Sequence, residues 1–135
     1  MGIAQVIVDA SVILAMLLKE PDEALFSDFL GETPDELFMS PVNYLEVSLR
    51  IDRGDMPKLS EAFDPLLGCL GVSIATINER QAKLARQAFQ LFGKGNHEAK
   101  LNLGDCFAYA LAKARSEPLL FKGDDFRHTD VEAAL

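Results

Sequence analysis

Apolar positions fall into short runs and stripes whose period changes repeatedly along the chain. Val6, Ile7 and Val8 form a β-branched run, the pattern of a strand buried on both faces of a parallel sheet. Asp9 closes the run, and Ser11 is placed to cap a helix through Val12 to Leu18. Lys19 to Asp22 reads as a turn, after which Asp22 caps a helix with Leu25, Phe26, Phe29 and Leu30 on one face. The stretch Gly31 to Asp35 breaks that helix, and Leu37 to Met39 is a short strand. Ser40 followed by Pro41 is a strong helix start. The helix runs to about Arg53, with an apolar stripe of Val42, Leu45 and Leu49, and Gly54 stops it.

Pro57 opens a further helix carrying Leu59, Phe63, Leu66, Leu67 and Leu70, bent at Pro65. Residues 71–77 alternate Val72, Ile74 and Thr76 as a strand. Asn78 then caps the clearest amphipathic helix, with Leu84, Ala85, Ala88, Phe89 and Phe92 inward. Gly93 ends it, and Lys94 to Lys100 reads as a mobile surface loop. Asn102 caps a helix from Leu103 to about Ser116, Pro118 to Phe121 is a strand, and Gly123 to Phe126 is an acidic turn. Strands and helices alternate throughout, which predicts an α/β fold with a mainly parallel sheet. A chain of 135 residues reads as one domain, 1–135.

Composition narrows the picture. With 49% hydrophobic residues the chain is globular rather than disordered, and no apolar stretch approaches the roughly 20 residues of a membrane span. No basic region precedes the first apolar run, so the expected location is the cytoplasm. Cys69 and Cys106 belong to no metal-type cluster and read as reduced, buried small hydrophobes. A net charge of −8 is awkward for a nucleic-acid binder but suits a carboxylate-rich metal site or a basic partner.

The carboxylates decide between these. Asp9 and the pair Asp124 and Asp125 each follow a strand directly, whereas Glu46 and Asp105 sit in the first or second turn of helices. In a right-handed parallel α/β sheet, strand ends and the helix starts that follow them share one edge, so all can converge there. Clustered carboxylates repel and take up protons unless a cation neutralises them. An oxygen-only ligand set selects Mg²⁺ or Mn²⁺, and such ions near a phosphodiester activate water and stabilise charge on the reacting oxygens. Each residue also has a structural reading. Asp105 lies three residues after Asn102, where an acid completes a cap; Glu46 borders an apolar stripe; Asp9, Asp124 and Asp125 can cap the helices that follow them.

Four blocks carry a resemblance. Val8-Asp-Ala-Ser11, Pro41-Val-Asn-Tyr-Leu-Glu-Val47, Leu103-Gly-Asp-Cys-Phe-Ala-Tyr-Ala110 and Leu119-Leu-Phe-Lys-Gly-Asp-Asp-Phe126, in that order over essentially the whole chain, resemble the PIN-domain ribonucleases. The nearest likeness is to the VapC toxins of VapBC toxin–antitoxin pairs. The resemblance implies a three-layer α/β/α PIN-like nuclease domain and a Mg²⁺- or Mn²⁺-dependent endoribonuclease. It further implies a homodimer, with RNA as substrate, held inactive by a cognate antitoxin. Asp9 and Asp105 would be the principal metal ligands, with Glu46 completing the cluster. For the fourth acid, Asp125 matches the position before Phe126; Gly123 stands where the family often has an acid, and Asp124 is an additional candidate. Ser11 matches a small hydroxyl residue beside the first acid.

Other chemistries fit less well. An aspartyl-nucleophile phosphatase needs a second acid two residues after Asp9, where Ser11 stands, and a receiver domain needs an acidic pair near the first strand. A non-catalytic module on the same fold is a further alternative. For RNA phosphates, Lys94, Lys100, Lys122 and Arg127 flank the acidic motifs and are the candidates from sequence.

Overall fold

The computed structural model describes residues 5–32 and 36–135. Strand β1 (Gln5–Val8) lies at the centre of the fold, and its alternation shows why a β-branched run was required there. Val6 and Val8 enter one apolar cluster and Ile7 enters another, and all three are fully shielded from solvent. Strands β2 (Glu36–Met39), β3 (Val72–Ile74) and β4 (Leu119–Leu120) complete a four-stranded sheet of order β3-β2-β1-β4. Every pairing is parallel.

Helices α1 (Ala10–Leu17) and α2 (Glu23–Glu32) link β1 to β2, and α3 (Pro41–Ile51) and α4 (Pro57–Leu70) link β2 to β3. The chain then runs through α5 (Glu79–Phe92) and α6 (Leu103–Arg115) and returns to the opposite side of β1. Residues of α1 to α4 pack in the cluster of Val6 and Val8, and residues of α5 and α6 pack in that of Ile7 and Leu119. This is the expected α/β/α sandwich. The winding reverses at β1, and in such sheets the crevice at the reversal point, outside the carboxyl ends of the strands, is where ligands bind.

Several local expectations change. The N-cap of α1 is Asp9 rather than Ser11: its extended backbone lets the carboxylate accept from the Ser11 amide. Helix α2 continues through Gly31 to Glu32, and residues 33–35 of the expected break lie outside the described residues. Ser40 caps α3 as predicted, with Pro41 in its first turn, but Asp52 closes the helix before Gly54. The inward face of α3 is Asn43, Val47 and Ile51. Of the expected stripe, Leu45 is 55% and Leu49 62% exposed. Helix α4 runs on through Pro65, which is exposed, so water can reach the carbonyl that Pro65 leaves without a donor.

Strand β3 stops at Ile74, short of Thr76. Asn78 caps α5 as expected, yet Phe89 is 44% exposed. The segment after Gly93 is braced rather than loose. The amide of Leu101 donates to the carbonyl of Phe92 at 2.9 Å, and Ala99 and Leu101 are buried. Cys106 is buried as expected, but Cys69 is exposed. A short 3₁₀ turn (Asp125–His128) follows β4. Among the described residues no helix is long and apolar enough to cross a membrane.

Candidate active site

Asp9 leaves β1 at the carboxyl edge and starts α1. Its Oδ2 accepts from the Ser11 hydroxyl at 2.6 Å and from the Ser11 amide at 3.1 Å. The Ser11 hydroxyl in turn accepts from the amide of Lys122 at 3.0 Å, which ties the end of β1 to the segment after β4. The other oxygen, Oδ1, is buried and no donor among the described residues reaches it. Burial holds the Asp9 carboxyl above the ordinary carboxylate range, against the lowering effect of the Ser11 bonds.

Glu46 occupies the second turn of α3 and is steered by Asn43 one turn earlier. The fully buried amide Nδ2 of Asn43 donates to Glu46 Oε1 at 3.3 Å and to the carbonyl of Gly104 at 3.0 Å. Gly104 leaves room for this arrangement: a methyl group built there would meet the Glu46 carboxylate, which would have to move aside. Burial, and then the charge of Asp9, raise the Glu46 carboxyl, while the Asn43 bond lowers it.

Asp105 forms a capping box at the start of α6. Its amide donates to Asn102 Oδ1 at 2.9 Å, and its Oδ2 accepts from the Asn102 amide at 3.1 Å. The capping reading of this residue is therefore correct, and the same residue also lines the acidic cleft. Burial, followed by the charge of Asp9, pushes the Asp105 carboxyl up to about 7; the Asn102 bond opposes this, and Glu46 and Asp125 add to it.

Asp9, Glu46 and Asp105 line one cleft of about 370 Å³ together with Ser11, Arg50 and Arg53. Asp125 is close enough for its charge to act on Asp105 but does not line the cleft. Asp124 faces a neighbouring hollow with Asp22, Lys122 and Arg127. Of the basic residues expected to flank the acids, none of Lys94, Lys100, Lys122 and Arg127 lines the cleft. Lys122 is held instead by Glu20 at 3.1 Å and Asp22 at 3.2 Å. Arg50, Arg53 and Asn43 were missed. The available signal was spacing: Asn43 and Arg50 stand three residues before and four after Glu46, on the same side of a helix.

The donor set suits a hard divalent cation. It is all oxygen, it carries a buried orphan acceptor in Asp9 Oδ1, and it contains a carboxyl that gives up its proton only near neutrality for want of a compensating charge. Among the described residues no three His, Cys, Asp or Glu side chains form a ready-made cage. The three carboxylates share the cleft without closing on one point. The phosphatase alternative weakens further, since Ser11 spends its hydroxyl proton on Asp9.

Comparison with known proteins bears on the same geometry. The sequence matches the PIN domain family over residues 6–132. Ribonuclease VapC28 of Mycobacterium tuberculosis H37Rv is 45% identical over 130 residues, which cover 96% of this chain and 97% of that protein. The structure is similar to M. tuberculosis VapC20, described as a sarcin–ricin-loop-cleaving toxin, with a TM-score of 0.73, 14% identity and coverage of 93% and 95%. It is also similar to VapBC2 of Rickettsia felis, solved bound to a DNA fragment from its promoter. There the TM-score is 0.74, the identity 10% and the coverage 96% of each chain.

Proposed function

The chain belongs to the PIN-domain family, among the VapC ribonucleases, and from that premise we propose that it is a Mg²⁺- or Mn²⁺-dependent endoribonuclease, the toxin half of a toxin–antitoxin pair. The observation that carries the metal-dependent reading is the meeting of Asp9, Glu46 and Asp105 in one cleft with Asp9 Oδ1 buried and unsatisfied. Asp9, Asp105 and Glu46 would hold the cation. When bound, it supplies the Lewis acidity that activates water and offsets charge on the phosphoryl oxygens. Ser11 and the Lys122 amide fix the orientation of Asp9, Asn43 fixes that of Glu46, and Asn102 that of Asp105. The fourth acid is Asp125, whose charge already reaches Asp105.

The test is cleavage of RNA by the purified chain with Mn²⁺, and its melting temperature with and without the ion. The parent should cleave and be stabilised by metal; Asp9→Asn and Asp105→Asn should lose both responses. Equal metal-induced shifts in all three proteins would overturn the ligand assignment.

The neighbouring VapBC assembly supports a protein partner. Beside Glu46, the exposed Leu45, Leu49 and Leu103 line a shallow apolar hollow, of the kind an amphipathic segment fills. A basic residue on that segment would be drawn to the acids of a chain carrying −8. In this reading the antitoxin docks here and blocks the cleft, and the chain acts as a homodimer in the cytoplasm. Co-expression with the product of the upstream gene should yield an inactive complex that is tighter at low salt. A chain that purifies alone and is not inhibited by that product would refute this part.

A further inference from the structure

We infer that Arg50 and Arg53 form the phosphate-binding rim of the acidic cleft, holding the RNA phosphates that flank the bond to be cleaved. This rests on the ribonuclease reading above and adds to it the residues that bind the strand.

Glu46 and Arg50 are one helical turn apart, and Arg53 follows in the bend after α3, so one short segment carries a candidate metal ligand and both cations. All three line the same cleft as Asp9 and Asp105. Neither guanidinium lies within 4.0 Å of a carboxylate among the described residues. Arg53 Nε donates to the carbonyl of Leu49 at 3.2 Å, and Arg50 Nη1 reaches only the sulfur of Met56, at 3.9 Å. With five N–H donors on each guanidinium, most of this capacity is left for a ligand.

Several basic residues elsewhere are already engaged, and the others, such as Lys94 and Lys100, do not line the acidic cleft. Lys122 pairs with Glu20 and Asp22, and Lys113 with Asp130. Arg115 covers the ring of Phe38, Arg127 that of Phe121, and Arg80 donates to the carbonyl of Ala114. The cleft also contains the orphaned Asp9 Oδ1, the acceptor assigned above to the cation, so the arginines border the place where the reacting phosphate would sit.

The ligand class follows from charge. A polyanion approaching a chain of net charge −8 is repelled everywhere except where cations face solvent. A cation held by the carboxylates would serve the reacting phosphate and leave its neighbours uncompensated. Guanidinium groups meet phosphate with two parallel hydrogen bonds, and two of them, one on the last turn of α3 and one just after it, line the same cleft.

The experiment uses a single-stranded RNA oligonucleotide that the parent cleaves. Arg50→Gln, Arg53→Gln and the double variant are compared with Arg86→Gln, an arginine on α5 that does not line the acidic cleft. Cleavage is measured at saturating Mn²⁺. Binding is measured in the Asp9→Asn background at several salt concentrations, and Mn²⁺ affinity by calorimetry. Each cleft substitution should raise KM about tenfold, the worth of one charge-assisted contact, with kcat and Mn²⁺ affinity close to parent. The slope of log affinity against log salt should fall by about 0.7 per contact removed. Lysine at either position should keep the slope while recovering part of the affinity.

The inference is overturned if the double variant keeps the parent KM and salt slope, or if Arg86→Gln weakens binding as much. It is equally overturned if RNA cleavage is untouched and only inhibition by a protein partner is lost. A parent chain that neither binds nor cleaves RNA under these conditions defeats the ribonuclease reading itself, a result distinct from failure of the variants alone.

Discussion

The side-chain amide of Asn43 donates to the backbone carbonyl of Gly104, 61 residues further along the chain, at 3.0 Å. The same nitrogen reaches Glu46. One buried amide thus fastens α3 to the first turn of α6 and fixes the distance between two of the three cleft acids.

Replacing Asn43 with Leu would leave the Gly104 carbonyl without its donor and Glu46 without its guide. The expected cost is about 1–3 kcal/mol of stability, the usual penalty for an orphaned buried polar group, together with weaker Mn²⁺ binding. Gly104→Ala should retain the fold but displace the Glu46 carboxylate, which its methyl would strike. Denaturant unfolding and Mn²⁺ calorimetry separate the two variants. Parent metal affinity and parent cleavage in the Gly104→Ala protein would show that the placement of Glu46 does not matter.

The metal-free protein should become less stable as pH rises. The Asp105 carboxyl sits at about 7 in the folded state against 3.8 ordinarily, so between these values the folded chain keeps a proton that the unfolded chain has released. Stability then falls from about pH 4 to about pH 7 and levels off above it. Asp9 and Glu46, also raised, act in the same sense. Asp105→Asn should flatten the decline, and saturating Mn²⁺, which favours the ionised acids, should oppose it. Melting temperatures in EDTA across this range decide the matter; a parent that gains stability towards neutrality would contradict the raised carboxyl.

Ser11→Ala removes the hydroxyl that joins Asp9 to the Lys122 amide. About 1 kcal/mol of stability should be lost, and kcat should drop without a matching change in KM, since the hydroxyl is spent on orienting Asp9. Threonine at this position should restore much of the rate. Failure of that rescue with the fold intact would remove Ser11 from the site.

Between the two terminal acids, Asp125→Asn should impair cleavage more than Asp124→Asn. The charge of Asp125 acts on Asp105, whereas Asp124 faces a hollow that also contains Lys122 and Arg127. Side-by-side rates at saturating Mn²⁺ test this, and the reverse order would make Asp124 the fourth acid.

What could be read from the sequence was whatever depends on neighbouring residues. The capping pair of Asn102 and Asp105, the Ser40-Pro41 start and the buried run of β1 all declare themselves within a few positions. The face of α3 did not. Its period was read correctly but its phase was not, because the inward face begins with the polar Asn43, whose partner is supplied by a distant turn. An all-apolar stripe of Val42, Leu45 and Leu49 looked the better core. The arginines of the cleft are hidden from sequence by the same phase, since the side of the helix that carries Glu46, Leu49 and Arg50 faces the cleft rather than the core. Cys69 failed for a related reason: on α4, which is exposed along most of its length, small size does not bring burial.

Asp9 and Asp105 each commit one carboxylate oxygen to a helix start, Oδ2 in both cases. This division of labour within a single side chain governs how the site can be dissected. Alanine strips the cap of α1 at Asp9, and half of the capping box of α6 at Asp105, together with the site oxygen, so a dead enzyme would not distinguish a lost ligand from a loosened first turn. Asparagine keeps an acceptor for the backbone amide and places a neutral donor where the second oxygen stood. A protein that retains its melting temperature while losing its response to metal would then report on the chemistry alone.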